Sequence, residues 1–202
     1  MEQGNPRLAT LVGSRICHDL ISPVGAVMNG LEMMQLAQQG STPETELIGD
    51  SVANAAARIR FFRIAFGAAG DDHAIGAAEI RDILSGLDRA GRVRHAWQVS
   101  GDVPRAEARL AFLAIQALEV ALPRGGEIAI AQSADARWRL RATGRRVAPP
   151  PDMAALLRDG PDAAALTPAT VQFALLAGLA GAAGRAPSIE DDEGEGALTL
   201  RV

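Results

Sequence analysis

The sequence is poor in cysteine, in aromatic side chains and in uninterrupted apolar runs, and each shortage excludes a class of protein. Its 202 residues contain one cysteine, Cys17, so an internal disulfide is impossible, and the three histidines are too far apart to form a metal site with it. Aromatic residues make up 3% of the chain, tyrosine is absent and the net charge is −4, which argues against nucleic-acid binding. Glycine or charge interrupts the longest apolar stretches, and the N-terminus has no signal-peptide pattern. We therefore expect a cytoplasmic protein with no metal site and no membrane insertion.

Aliphatic side chains are plentiful by contrast, and their pattern divides the chain in two. The hydrophobic content of 48% is sufficient for a packed core, and the glycine-rich residues 67–73 have the composition of a linker. Before this linker the apolar residues recur at helical spacing, whereas helical and alternating patterns are mixed after it. We predict an α+β protein with one domain in residues 1–70 and a second in residues 71–202.

The first domain is predicted to be an antiparallel helical hairpin. Asn5 and Pro6 have the pattern of a helix start, the first helix extends to about residue 39, and Thr42 with Pro43 starts the second. Apolar residues alternate at spacings of three and four along both helices, at Cys17, Leu20, Val24, Val27, Leu31 and Met34 and then at Ile48, Val52, Ala55, Ile59, Phe62 and Phe66. One hairpin cannot cover both stripes, so we expect two chains to form a homodimeric four-helix bundle.

The second domain mixes predicted helices with mostly antiparallel strands, which favours an α+β layer. Helices are expected over residues 75–90, 104–122, 153–158 and 168–184, and strands over 92–99, 127–132, 137–142 and 197–202. His95 falls in the first of these strands, where we interpret it as a packed histidine without a chemical role.

A second stripe runs along the first helix, about a third of the way around from the apolar one. Its members are Leu11, Arg15, His18, Ser22, Gly25, Asn29 and Glu32, and all but the first are polar, charged or small. His18 is therefore expected beside the core. Pro23 cannot donate a hydrogen bond to the carbonyl of Asp19, so the helix should bend close to the histidine. The alternative is a bundle helix with an incidental surface histidine.

The residues around His18 carry a resemblance to a known family. His18-Asp19-Leu20-Ile21-Ser22-Pro23 resembles the phosphoacceptor box of two-component histidine kinases, His-Asp/Glu-Leu-x-x-Pro, and residues 14–32 are similar to the ChpT-type histidine phosphotransferases of alphaproteobacteria. The resemblance implies that the chain is a phosphotransferase, in which His18 carries phosphate from the receiver domain of a hybrid kinase to the receivers of response regulators. Its motif also covers Arg15, Asp19, Ser22, Asn29 and Glu32. We expect Arg15, Ser22, Gly25 and Asn29 to dock a receiver, because small residues beside His18 would let a receiver helix approach closely.

Histidine suits a phosphorelay because it is a nucleophile at neutral pH and forms a labile bond to phosphorus. Its ordinary pKa is about 6.5, so the neutral imidazole has a free lone pair at pH 7. A carboxylate would hold the other ring N–H and stabilise the cation that forms. Asp19 is the best candidate, although it could instead contact a neighbouring helix or lie on the surface. The receiver is expected to supply Mg²⁺, and this chain to bind no cofactor.

The second half resembles the ATP-binding domain of histidine kinases, most clearly over residues 184–200, but it lacks the residues that bind the nucleotide. Leu113 and Ala117 stand where kinases carry asparagines that bind magnesium and phosphate. Ala142 and Arg146 replace the aspartate and the last glycine of the kinase Asp-x-Gly-x-Gly motif, and residues 167–173 replace a glycine-rich phosphate loop. We therefore expect a degenerate ATPase-like α/β sandwich without ATP binding. A kinase that retains ATP and a non-catalytic dimeric scaffold are the alternative functions.

Arginines on the predicted strand 137–142 suggest a second docking surface. Strand alternation places Trp138 and Leu140 on the buried face, and Arg139 and Arg141 on the other together with Arg137. Receiver domains have an acidic pocket around their aspartate, which a row of guanidinium groups would attract. The alternative is that these arginines are ordinary solvated strand positions.

Overall fold

The computed structural model of the chain contains a helical hairpin followed by helices packed on a five-stranded sheet. It describes residues 6–37, 41–67, 73–89, 91–133, 135–162, 166–192 and 196–202. The helices in these ranges are α1 (Pro6–Ala37), α2 (Pro43–Ala65), α3 (Ala77–Asp88), α4 (Arg105–Glu119), α5 (Met153–Asp159) and α6 (Val171–Ala182). The strands are β1 (Ala74–Ile75), β2 (Val93–Trp97), β3 (Val103–Pro104), β4 (Gly126–Gln132), β5 (Trp138–Thr143), β6 (Ser188–Asp192) and β7 (Ala197–Arg201). This architecture confirms the predicted α+β class.

The start of α2 shows how local sequence sets the hairpin. Thr42 Oγ1 accepts a hydrogen bond from the Thr45 backbone N–H at 3.3 Å, and Thr45 Oγ1 accepts one from the Thr42 N–H at 2.8 Å. This reciprocal cap satisfies two donors that a helix start leaves unpaired, and Pro43 fits the first turn because it needs no N–H partner there. The predicted cap at Asn5 and the boundary near residue 70 lie outside the described residues.

The sheet has the strand order β2-β4-β5-β7-β6, with β2 and β4 parallel and the other neighbours antiparallel. Leu140 in the centre lies opposite Ile130 on β4 and Leu200 on β7, and all three are fully buried. Such a row of apolar side chains on one face is what the helices cover. The strands predicted over residues 92–99, 127–132, 137–142 and 197–202 correspond to β2, β4, β5 and β7, and most neighbours are antiparallel as predicted.

Three predicted helices are shorter than the sequence pattern indicated. Ala74–Ile75 and Val103–Pro104 pair with each other as β1 and β3, so α3 and α4 begin after them. The third helix, α6, begins at Val171 because Thr167 and Thr170 close a turn, in which the Thr170 N–H donates to the Thr167 carbonyl at 3.1 Å. A short strand pair has too little periodicity to be separated from an adjoining helix by sequence alone.

Helix α2 connects the hairpin to the second half through a face that the apolar stripe did not indicate. The predicted stripe from Ile48 to Phe66 is half-buried at best, and Ile48 itself is exposed. The apolar residues of α2 that are buried are Ala57, Phe61, Ile64 and Ala65. Phe61 stacks on Phe112 of α4, with ring centroids 4.6 Å apart. The helix therefore has two apolar faces, of which the second half covers one.

Candidate functional site

Helix α1 carries the predicted phosphoacceptor and runs through Pro23 as a single helix. The backbone at Arg15, His18 and Asp19 is helical, while their side chains lie outside the part that the structure describes. The backbone position of His18 and the described side chains around it define the candidate site.

The described side chains of α1 divide into three faces. Leu31 is buried, and Cys17 and Val24 are half-buried on the side that faces α2. Leu20, Val27 and Met34 are 46%, 50% and 51% exposed and form an apolar face without a partner in the described residues. Ser22 and Asn29 are exposed on the side of His18. At 100° per residue, the His18 side lies about 160° from the exposed apolar face, so the two are nearly opposite and not a third of a turn apart.

Next to the position of His18, three helices enclose a groove with a volume of about 420 Å³. Each helix contributes three positions, which are Ile21, Gly25 and Met28 from α1, Ala53, Ala56 and Arg60 from α2, and Asp82, Gly86 and Arg89 from α3. His18 precedes Ile21 by three residues and Gly25 by seven, so it occupies the next position of the same helical row. We call this feature the three-helix groove. The sequence alone indicated Gly25 as a site residue. The groove residues on α2 and α3 can be recognised only from the tertiary packing.

Direct contacts fix α3 against α2 along the groove. Arg60 Nη1 lies 2.7 Å from Asp82 Oδ2 in an ion pair, and Asn54 Nδ2 donates to the Gly86 carbonyl at 3.3 Å. Gly86 permits the close approach, because a Cβ at this position would lie 2.7 Å from the Cβ of Ala57. The second half thus holds a fixed position beside the hairpin.

The predicted alternation of β5 is confirmed, but its exposed face carries both signs of charge. Trp138 and Leu140 are fully buried, and Arg139 is exposed. Arg141 lies 3.4 Å from Asp192 on the same side of the sheet. Outside the strand, Arg137 pairs with Asp135 at 3.4 Å, and on the neighbouring β7 Arg201 pairs with Glu190. Acidic neighbours therefore interrupt the expected row of guanidinium groups.

His95 is packed within the second half, as the sequence predicted. Its ring is 2% exposed, Nδ1 lies 2.6 Å from Asp88 Oδ1, and Nε2 lies 3.2 Å from Glu119 Oε1. Burial alone would lower the pKa of His95, but hydrogen bonds and charge from Glu119 and Asp88 outweigh it and raise the pKa above its ordinary value. Since a neutral imidazole has one N–H, hydrogen bonds to two carboxylates require the protonated ring.

The carboxylates of Asp88 and Glu119 face opposite ring nitrogens of His95 and cannot converge on one metal ion. Within the described ranges, no cluster of three potential ligands could hold a metal.

The residues that the sequence aligns with the nucleotide-binding asparagines and aspartate of kinases carry no oxygen ligand on their side chains. Leu113 and Ala117 on α4 and Ala142 on β5 are fully buried apolar side chains. Where a phosphate loop would stand, Thr170 Oγ1 accepts a hydrogen bond from the Thr167 N–H at 2.9 Å, so the segment hydrogen-bonds to itself. These residues do not fit ATP with its magnesium ion.

Comparisons with known proteins match both halves of the chain. Residues 77–195 match the family described as the histidine phosphotransferase C-terminal domain. The protein phosphotransferase ChpT of Brucella abortus (strain 2308) is 35% identical over 151 residues, which cover 71% of each chain. A 1.7 Å structure of a bacterial phosphotransferase is 29% identical, with a TM-score of 0.68, and the match covers 100% of this chain and 97% of the other. No helix in the described residues has the length and apolar character needed to cross a bilayer.

Proposed function

Because this chain belongs to the ChpT-type histidine phosphotransferases, we propose that it relays phosphate through His18 between the receiver domain of a hybrid kinase and the receivers of response regulators. The observation that carries the assignment is the place of His18 on α1. It lies in a phosphoacceptor box, nearly opposite the exposed apolar face and in line with the three-helix groove. A partner can therefore reach this side of α1 while the apolar face is engaged elsewhere.

The transfer exchanges one bond to phosphorus for another. A ring nitrogen of neutral His18 donates its lone pair to the phosphorus of the receiver's aspartyl phosphate. The P–N bond forms, the P–O bond to the receiver carboxylate breaks, and that carboxylate leaves with the electron pair. In the second transfer step, the aspartate carboxylate of the next receiver attacks the phosphorus of phosphorylated His18. The P–N bond breaks, and His18 leaves as neutral imidazole. Mg²⁺ held by the receiver stabilises the phosphoryl oxygens in both steps.

Asp19 is the second catalytic residue in this proposal. His18 becomes cationic when its ring nitrogen binds phosphorus, and a carboxylate that accepts the other ring N–H stabilises that charge. Asp19 is adjacent in sequence and helical in backbone. Asp19→Asn would keep the size of the side chain and remove its charge, so it should slow transfer and leave the protein folded.

The working unit in this proposal is a homodimer held by the hairpin, residues 6–66. Leu20, Val27 and Met34 present an apolar face without a partner in the described part of the chain, and a second copy would cover it. Val24→Glu or Ile59→Glu should dissociate or unfold the dimer, since an unpaired buried charge costs several kcal/mol, roughly. Light scattering distinguishes the outcomes, and a well-folded monomeric wild type would contradict the proposal.

The second half acts in this proposal without ATP. Leu113 and Ala117 offer no oxygen to a magnesium ion, and both lie in the core. Autophosphorylation would also require the second half to move toward His18. Contacts between α2 of the hairpin and α4 of the second half oppose such a movement. Phe61 stacks on Phe112, and Arg109 Nε donates to the Ala65 carbonyl at 3.1 Å. Such a junction suits a fixed docking platform for receivers.

Two phosphate sources separate this function from its alternatives. The protein is incubated with radiolabelled ATP and Mg²⁺, or with receiver domains from the same genome that have been phosphorylated with labelled acetyl phosphate. A phosphotransferase acquires acid-labile label from a receiver and none from ATP. Labelling by ATP alone would identify a kinase, and labelling by neither source across all receivers would indicate a scaffold.

A further inference from the structure

We propose that α3 of the second half completes the receiver-binding surface beside His18, and that Arg89 at its end is a specificity-determining residue for the receiver. This inference rests on the proposed phosphotransfer function. It assigns a role in receiver binding to α1, α2 and α3, which lie side by side. The phosphoacceptor box lies on α1 alone.

The three-helix groove has the size and lining of a docking surface. Six of its nine lining residues are small or apolar, namely Ile21, Gly25, Met28, Ala53, Ala56 and Gly86. The other three, Arg60, Asp82 and Arg89, are charged, and we call them the charged wall of the groove. A combination of apolar and charged residues is usual in a protein interface, in which burial supplies affinity and charge supplies selectivity.

The position of the groove favours a receiver over a second copy of this chain. The groove residues of α1 lie about 130° around the helix from the exposed apolar face of Leu20, Val27 and Met34. A dimer that covers that face leaves the groove open. The groove is continuous with the helical row of His18, so a domain that presents an aspartyl phosphate to the histidine lies over it.

Charge at the edge of the groove matches the acidic site of a receiver. Asp82 forms its ion pair with Arg60, so Arg89 gives the wall its net positive charge. Arg89 is exposed, and a guanidinium group can bind a carboxylate through two parallel hydrogen bonds. Receivers that place a carboxylate opposite this residue would be favoured, and those that place a cation there would be rejected.

The wall keeps its position because α3 cannot move independently of α2. The contact of Gly86 with Ala57 is too close for any larger side chain, and Asn54 also donates to the Leu87 carbonyl at 3.4 Å. These contacts lie three and two residues before Arg89, within one helical turn of it. Arg89 is therefore presented by a rigid element, as discrimination between similar partners requires.

Two pairs of variants test the inference. Arg89→Glu is compared with Arg81→Glu, which makes the same change of charge on an exposed residue of α3 that does not line the groove. Gly25→Leu is compared with Gly178→Leu on α6. An added Cβ meets nothing within 4 Å at either glycine, so both helices accept the side chain, but only Gly25→Leu fills the groove.

The readout is the ratio of two labelling rates, one from a phosphorylated receiver that transfers to the wild type and one from phosphoramidate, a small donor that needs no docking. Arg89→Glu and Gly25→Leu should each lower this ratio by about tenfold, and Arg81→Glu and Gly178→Leu should leave it at the wild-type value. Equal ratios in Arg89→Glu and Arg81→Glu overturn the role of α3. If no phosphorylated receiver labels the wild type, the proposed phosphotransfer function itself fails.

Discussion

Truncation of Phe61 tests whether the hairpin and the second half fold as one unit. Phe61 is 3% exposed, its ring stacks on Phe112 at 4.6 Å with an interplanar angle of 29°, and it contacts Phe62 edge-on at 6.1 Å. Phe→Ala substitutions at buried sites cost about 3–5 kcal/mol. Phe61 lies between α2 and α4, which other contacts hold together. The cavity left by the substitution therefore cannot close easily, and we expect a loss of about 4 kcal/mol in the free energy of unfolding. For a chain of this size that corresponds to a fall in Tm of about 8–16 °C.

Urea unfolding followed by two probes measures this effect. Trp97 and Trp138 lie 5.3 Å apart in the second half, so their fluorescence reports on the sheet, while far-ultraviolet circular dichroism is dominated by the helices. Phe61→Ala should lower the midpoint of both signals together. Leu166→Ala, at a side chain that is 51% exposed, should change the free energy of unfolding by less than about 0.5 kcal/mol. A loss below about 1 kcal/mol for Phe61→Ala, or separate transitions for the two probes, would refute the coupling of the halves.

Two further predictions concern pH and salt. The raised pKa of His95 means that its pairing with Asp88 and Glu119 contributes fully to stability below the pKa of an unfolded histidine, about 6.5, and that this contribution is lost as pH rises through the higher folded pKa. The difference in unfolding free energy between the wild type and His95→Gln should therefore shrink as pH rises above about 6.5. Replacing Arg139 and Arg141 together by Glu should slow transfer from receivers, with the largest effect at low salt, because exposed charges act mainly on the association rate.

Each of these predictions has a clear contrary result. A difference between the wild type and His95→Gln that stays constant from acidic to alkaline pH would mean that the ring is not protonated in the folded state. If receiver affinity and its salt dependence are unchanged after both arginine reversals, that face of the sheet is ordinary solvated surface. Arg81→Glu is a suitable control, because Arg81 is an exposed residue of α3 and not part of the sheet.

Local patterns in the sequence predicted the elements of the fold with good accuracy. The Thr42 and Pro43 signal marks the start of α2, and the alternation around Trp138 and Leu140 gives the buried face of β5. Both depend on interactions within a few residues, which a sequence displays directly. The sequence also shows directly that the side chains of Leu113 and Ala117 carry no oxygen for a magnesium ion, while the absence of ATP binding stays a prediction.

The surroundings of His18 were less accessible from the sequence. The apolar stripe of α2 suggested one packing face, whereas Phe61 and Ile64 form a second, and only tertiary packing shows which partner covers it. The contribution of α3 to the groove has no local signal, since Gly86 and Arg89 look like ordinary helix residues. Their role depends on contact with a helix more than twenty-five residues earlier in the chain, as in the hydrogen bond from Asn54 to the Gly86 carbonyl.

The central claim is that His18 carries the phosphoryl group, and mapping the labelled residue tests it most directly. Wild type, His18→Gln, His73→Gln and His95→Gln are incubated with the same phosphorylated receiver, and acid-labile label is measured on protein that circular dichroism shows to be folded. Label should vanish in folded His18→Gln and persist in the other two variants. Label retained in His18→Gln, or peptide mapping that places phosphate on another residue, would contradict the account.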